Sequence, residues 1–135
     1  MGRGAQVSKQ KNADILERAE DYALRIIRLF RELENDNLGR ILGRQLVRCG
    51  TGIGANVEEA QGAQSMADFI SKMSIAHKEA REAAYWIRLM GKAGIIPQSK
   101  AQDLSGETLQ IIKILSSILL TSKQKAYRGR HVTRP

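Results

Sequence analysis

Apolar residues recur along this chain in alternating steps of three and four, the rhythm of helices that each bury one face. Ile15, Ala19, Tyr22, Ile26, Leu29 and Leu33 form the first seam, widened by Leu16, Ala23, Ile27 and Phe30. The pattern predicts a helix from about Asn12 to Glu34, with Asn12 as its cap and Asp14 and Glu17 in its first turns. Asn35-Asp36-Asn37 then reads as a short polar turn. A second helix is expected from Leu38 to about Ala60, carried by Ile41, Leu42, Leu46, Val47, Ile53 and Val57. It contains Gly39, Gly43, Gly50, Gly52 and Gly54, each costing about 1 kcal/mol relative to alanine in a helix interior. Such a run either kinks the helix near 50–54 or admits a close neighbouring backbone; we read the helix as continuous.

Ser65-Met66-Ala67-Asp68 resembles a capping box, with Asp in place of Glu, and opens a third helix. Phe69, Met73, Ala76, Ala80, Ala83, Ile87 and Met90 follow at helical spacing. Gly94, the apolar Ile95-Ile96 and then Pro97 form a stop: left-handed glycine, fold-back and a residue that forbids continuation. Ser99-Lys100-Ala101-Gln102 repeats the capping logic for a fourth helix, with one stripe of Leu104, Thr108, Ile111, Leu115 and Ile118. A second stripe, Leu109, Ile112 and Leu119, exceeds what one bundle seam needs and predicts self-association. Four helices joined by short turns make neighbours antiparallel, so the expected fold is all-α, an up-down four-helix bundle.

Composition adds the charge distribution. The chain has 135 residues and a net charge of +8, yet the segment between residues 12 and 122 is neutral. Residues 1–11 contribute Arg3, Lys9 and Lys11 with no acid, and residues 123–135 contribute Lys123, Lys125, Arg128, Arg130 and Arg134 with none. The expected organisation is a bundle over 12–122 between two flexible basic tails. Such tails either attract polyanions or simply aid solubility. A lone Cys49 cannot form an internal disulfide, which suits a reducing cytoplasm. The polar N-terminus lacks a signal-peptide core, and the apolar run Ile111–Leu120 is short for a bilayer, so no membrane is expected.

Candidate chemistry is sparse. Gly50-Thr51-Gly52-Ile53-Gly54 matches neither dinucleotide nor P-loop spacing, and no strand precedes it. His77, His131 and Cys49 lie apart, so no metal or cofactor is expected. Glu79 and Glu82 share a helix face without a nucleophile, which leaves no catalytic set. Arg40, Arg44 and Arg48, four apart, line one side of the second helix. They suit either tracking phosphates or pairing with carboxylates of a neighbouring helix.

Gly52-Ile53-Gly54-Ala55-Asn56-Val57-Glu58-Glu59-Ala60 resembles the S-I-G-A-N-I-x-E-G signature of a bacterial family. Its members are four-helix-bundle proteins encoded in intervening sequences of 23S ribosomal RNA genes. Ser65, Phe69, Ile75-Ala76, Glu82, Leu89 and Gly94-Ile95-Ile96 continue the match, which spans about Ile15 to Ser122. Gly52, Ala60 and Glu79 depart from the pattern. The resemblance implies assembly into a ring, typically a homopentamer, with no enzymatic activity. It extends more distantly to the accessory variability determinant of diversity-generating retroelements, a pentameric bundle that binds nucleic acid and a reverse transcriptase. Asn56 and Glu59 match signature positions and are expected either to hydrogen-bond across helices, with Glu82 or Tyr85, or to serve a subunit interface.

Two functions of different class follow. The first is a ring-shaped scaffold binding RNA or DNA through Arg40, Arg44, Arg48, Lys123, Lys125, Arg128 and Arg130. The second is a protein–protein adaptor with no nucleic-acid contact, resting on the surplus apolar stripe of the fourth helix.

Overall fold

The computed structural model describes the backbone over residues 3–130 and side chains over 14–130. Four helices make up the fold: α1 (Arg3–Glu32), α2 (Asn37–Gln61), α3 (Met66–Lys92) and α4 (Gln98–Arg130). Each packs on its sequence neighbours, and α4 closes the square against α1; among the described residues the diagonal helices make no close backbone approach. The antiparallel up-down bundle expected from the seams is the fold observed.

The seams form one core. Ile15, Ala19, Tyr22 and Ile26 of α1 are fully buried, as are Ile53 and Val57 of α2, Met73 through Ile87 at every seam position of α3, and Ile111 and Leu115 of α4. Full burial of a side chain such as Ile or Leu contributes roughly 1.5–3 kcal/mol against its exposure, so this seam dominates the fold's stability.

The turns are capped by side chains. Asp36 Oδ1 accepts from the Gly39 amide at 3.0 Å and starts α2. Ser65 Oγ accepts from the Asp68 amide at 3.0 Å, while Asp68 Oδ2 accepts from the Gln64 amide at 3.3 Å. Gly94 takes φ +74, and the Ile95 and Gly94 amides donate to the Met90 and Gly91 carbonyls, closing α3 with the expected left-handed cap. Ile96 is then buried under the end of the bundle.

Four details differ from the sequence expectation. α1 runs back to Arg3, so Asn12 lies inside the helix and not at its start. α4 continues through Lys123, Lys125 and Arg128 to Arg130, where a flexible tail was expected from 123. Both extensions have the same cause: Ala, Gln, Lys and Arg favour helix, and no proline intervenes before Pro135. His131 and Arg134 lie outside the described residues. α4 also starts one residue before Ser99: the Ala101 amide donates to the Pro97 carbonyl, so Pro97 stands at the cap position and Ser99 lies inside the first turn. Finally, Leu119 of the surplus stripe is buried and Ile112 partly so, leaving Leu109 and Leu120 as the exposed leucines of α4.

α2 is unbroken through its glycines because several of them sit where another side chain presses in. A Cβ on Gly50 would lie 3.1 Å from Ile26 Cγ1, and one on Gly43 would lie 2.7 Å from Phe30 Cδ1. The same helical continuity makes α4, by length and composition, long and apolar enough to cross a membrane; Ile111–Leu120 alone is shorter. In the fold its Ile111, Leu115 and Ile118 are built into the core.

Candidate nucleic-acid interface

The two groups of candidate cations fall at opposite ends of the molecule. α2 begins where α1 ends, so Arg40 and Arg44 belong to that end; α4 finishes at the other, with Lys123, Lys125, Arg128 and Arg130 all exposed. At 1.5 Å of rise per residue the two groups are roughly 30–40 Å apart along the bundle. One chain therefore does not bring them into a single surface.

The arginine stripe also divides. Steps of four turn 40° per repeat, so Arg40 sits at the α1 edge of α2 and Arg48 at the α3 edge. Arg48 Nη2 donates to Glu82 Oε2 at 2.8 Å, and its Nη1 lies 3.5 Å from Glu79 Oε2. The Glu82 hydrogen bond holds this guanidinium above its usual pKa range. Arg48 is thus engaged by carboxylates of the neighbouring helix. Arg40 and Arg44 are exposed and have no ion pair among the described residues.

Glu79 and Glu82, placed on one helix face by their spacing, share that one guanidinium. Cys49, Glu79 and Glu82 offer donor atoms within 4.8 Å of one another, a convergence invisible in the spacing of 49, 79 and 82. Arg48 already supplies one cation to the two carboxylates, and burial pushes the Cys49 thiol up to about 12, so the thiol stays protonated. Glu59 reaches α3 through Lys72 at 3.2 Å, while Asn56 Nδ2 donates to the Gly52 carbonyl of its own helix at 2.8 Å. The cross-helix bond expected for Asn56 is therefore replaced by a bond one turn back, which α2 permits by staying helical. Tyr85 stands exposed, edge-on to Trp86 with Arg88 over its ring, and takes no bond from the signature residues.

The α1–α4 seam is polar and was missed. Arg18 grips Glu107 through two nitrogens, at 2.6 and 3.3 Å, Arg25 pairs with Asp103 at 2.5 Å, and Glu32 pairs with Lys100. Beneath them Thr108 donates to the Leu104 carbonyl, which leaves Tyr22 to donate to Thr108 Oγ1 at 2.7 Å. The seven-residue spacing of 18, 25 and 32 beside the seam was the available signal.

At the far end, an open groove of about 690 Å³ runs between the start of α3 (Met66, Ala67, Ile70) and the end of α4 (Lys123, Lys125, Arg130). Its floor is apolar and its rim cationic. No acidic residue follows Glu107 in the chain. α1 starts at this same end, and no acid precedes Asp14. The up-down topology thus gathers the basic beginning and basic end of the chain at one pole.

The 23S rRNA-intervening sequence protein family model matches residues 11–117. A 1.70 Å crystal structure from Bacteroides thetaiotaomicron VPI-5482, described as a protein with unknown function from the S23 ribosomal protein family, is 37% identical. The match covers 81% of this chain and 97% of that one, with a TM-score of 0.78. No curated protein gives a significant match.

Proposed function

The chain belongs to the 23S rRNA-intervening sequence protein family, and from that premise we propose a non-enzymatic helical scaffold of the cytoplasm. It binds nucleic acid, RNA foremost, through its basic pole and works as a homo-oligomeric ring. One observation carries the reading: the last turns of α4 radiate Lys123, Lys125, Arg128 and Arg130 with no acid after Glu107 to compensate them. A polyanion with regularly spaced phosphates suits such a rod, because each neutralised phosphate releases bound counterions. Repetition around a ring would multiply this short cationic segment into a broad surface. Arg40 and Arg44 form a second, smaller cationic site at the opposite pole; Arg48, tied to Glu79 and Glu82, is excluded from it.

The adaptor reading draws on exposed Leu109 and Leu120, apolar surface for which self-association would compete. The test is the mass and absorbance of the purified chain before and after nuclease. RNA that co-purifies and is lost from a chain ending at Ser122 supports the basic pole. Nucleic-acid-free protein that also ignores added structured RNA at low salt would refute it.

A further inference from the structure

At mid-height of the bundle the unpaired charges are sorted by sign onto two faces. On α3 and α4 every described acid is engaged. Glu79 and Glu82 turn to Arg48 of α2, Asp103 and Glu107 turn to Arg25 and Arg18 of α1, and Asp68 caps its own helix. Near the middle of these two helices what remains outward is Lys78, Arg81 and Lys113, exposed and without an ion pair among the described residues; Arg88 and Lys92 lie further along α3, and Lys123 and the cations after it further along α4. They share one face: His77 bonds Ser116 across the α3–α4 seam at 2.9 Å, and these cations lie within a turn of that bond. Leu109 and Leu120 are exposed on the same face.

The outer side of α1 is the reverse over residues 14–21, while exposed Arg28 and Arg31 lie beyond that stretch. Glu17, Glu20 and Asp21 are exposed and unpaired among the described residues, because Arg18 and Arg25 are drawn inward to α4. Leu24 and Ile27 follow on the same side, both exposed. Since α1 is diagonal to α3, the acidic face and the cationic face point away from each other.

Their heights agree. Arg18 meets Glu107, and Asp14, Glu17 and Arg18 share a cleft with Ile114, which sets residues 14–21 of α1 level with about 107–114 of α4. Lys113 falls in that band directly, and the His77–Ser116 bond brings Lys78 and Arg81 to within a turn of it.

We infer that the acidic outer face of α1 (Glu17, Glu20, Asp21) docks on the cationic α3–α4 face (Lys78, Arg81, Lys113) of a second copy of this chain. The contact is heterologous, joining two different surfaces. With the two bands at one height, successive copies add by rotation with little axial offset, the condition under which such a contact closes into a ring instead of a filament. Charge fixes the pairing and rejects the like-charged alternatives, while Leu24 and Ile27 on one side and Leu109 on the other lose their exposure. This inference rests on the ring reading above and specifies its interface.

The test is the solution mass of nuclease-treated full chain by light scattering, against 15.0 kDa for one copy. The triple variant Glu17→Lys/Glu20→Lys/Asp21→Lys, and separately Lys78→Glu/Arg81→Glu/Lys113→Glu, should each fall to the mass of a single copy while keeping wild-type helicity. The two triples mixed in equal amounts should reassociate by alternation into even-numbered or open assemblies, and a chain carrying all six changes should recover the wild-type mass, because each restores opposite charges across the contact. A wild-type oligomer indifferent to both triples, or triples that dissociate but never recombine, would overturn this pairing and leave the ring standing. A wild-type chain of single-copy mass would overturn the ring as well. Binding of RNA, read separately, is independent of either outcome.

Discussion

Substituting Gly91 by alanine should destabilise the bundle, although alanine is the better helix former. The reason is where α3 meets the first turn of α4. A Cβ on Gly91 would stand 2.7 Å from the Cβ of Ala101 and 3.1 Å from Gln98 Oε1. Two carbons rest about 3.5–4.0 Å apart, so about 1 Å must be found. Ala101 Cβ is attached directly to the backbone and is buried, so no rotamer change can supply that space; the helices must separate. Overpacking of this kind costs about 1–3 kcal/mol, and the gain in helix preference returns at most about 1 kcal/mol. The net expectation is a loss of roughly 1–2 kcal/mol. Gly52 is the control with opposite sign: its added Cβ would meet Glu79 at an ordinary 3.5 Å, so Gly52→Ala should stabilise by about 0.5–1 kcal/mol. Urea unfolding followed by circular dichroism, at one protomer concentration, reads both. With an m-value of about 2 kcal/mol/M, the Gly91→Ala midpoint should drop by roughly 0.5–1 M. A Gly91→Ala midpoint at or above wild type would refute the close-approach reasoning.

Three further outcomes follow. Tyr22→Phe should cost about 1 kcal/mol, and a double-mutant cycle with Thr108→Val should recover most of it as coupling, since the buried hydroxyl bond is the shared feature; an additive cycle would contradict it. Cys49, buried with its thiol pushed up to about 12, should react with a disulfide reagent at mildly alkaline pH only as fast as the chain opens; immediate reaction of the native protein would contradict its burial. His77 has its pKa lowered by burial, with Arg81 and Lys123 adding to the effect. The unfolded chain therefore binds the proton more readily, so the stability His77 contributes is intact above about 6.5 and declines as pH falls through the lowered folded value. His77→Gln should remove that part of the slope, and an unchanged slope would assign it elsewhere.

The core was legible because burial follows period. Ile15 to Leu33 and Met73 to Met90 keep an unbroken apolar seam at helical spacing, and every seam residue of both is buried. Capping at Ser65 and Gly94 was equally readable, since serine before a helix and glycine before Ile-Ile-Pro have local physical causes. Helix ends without such local signals were not: nothing at Asn12 or Ser122 forces a stop, and the backbone runs on. Polar partners were harder still. Arg48 could face solvent or α3 equally well by periodicity, and only the neighbour's placement of Glu79 and Glu82 decides it. Asn56 chose its own Gly52 carbonyl over a cross-helix partner for a similar reason: the nearest acceptor lies one turn back. The gathering of both basic ends at one pole needs the topology, because residues 3 and 130 are as far apart in sequence as the described chain allows.

The most direct test of the basic-pole account is a salt series of binding to a structured RNA. The wild-type chain is compared with Lys123→Gln/Lys125→Gln/Arg128→Gln/Arg130→Gln. The account predicts wild-type affinity that falls steeply with salt, and a variant that keeps its mass and helicity but loses about 3–4 units of the log–log slope if all four cations meet duplex phosphates. Equal affinities and equal slopes for the two proteins would contradict it.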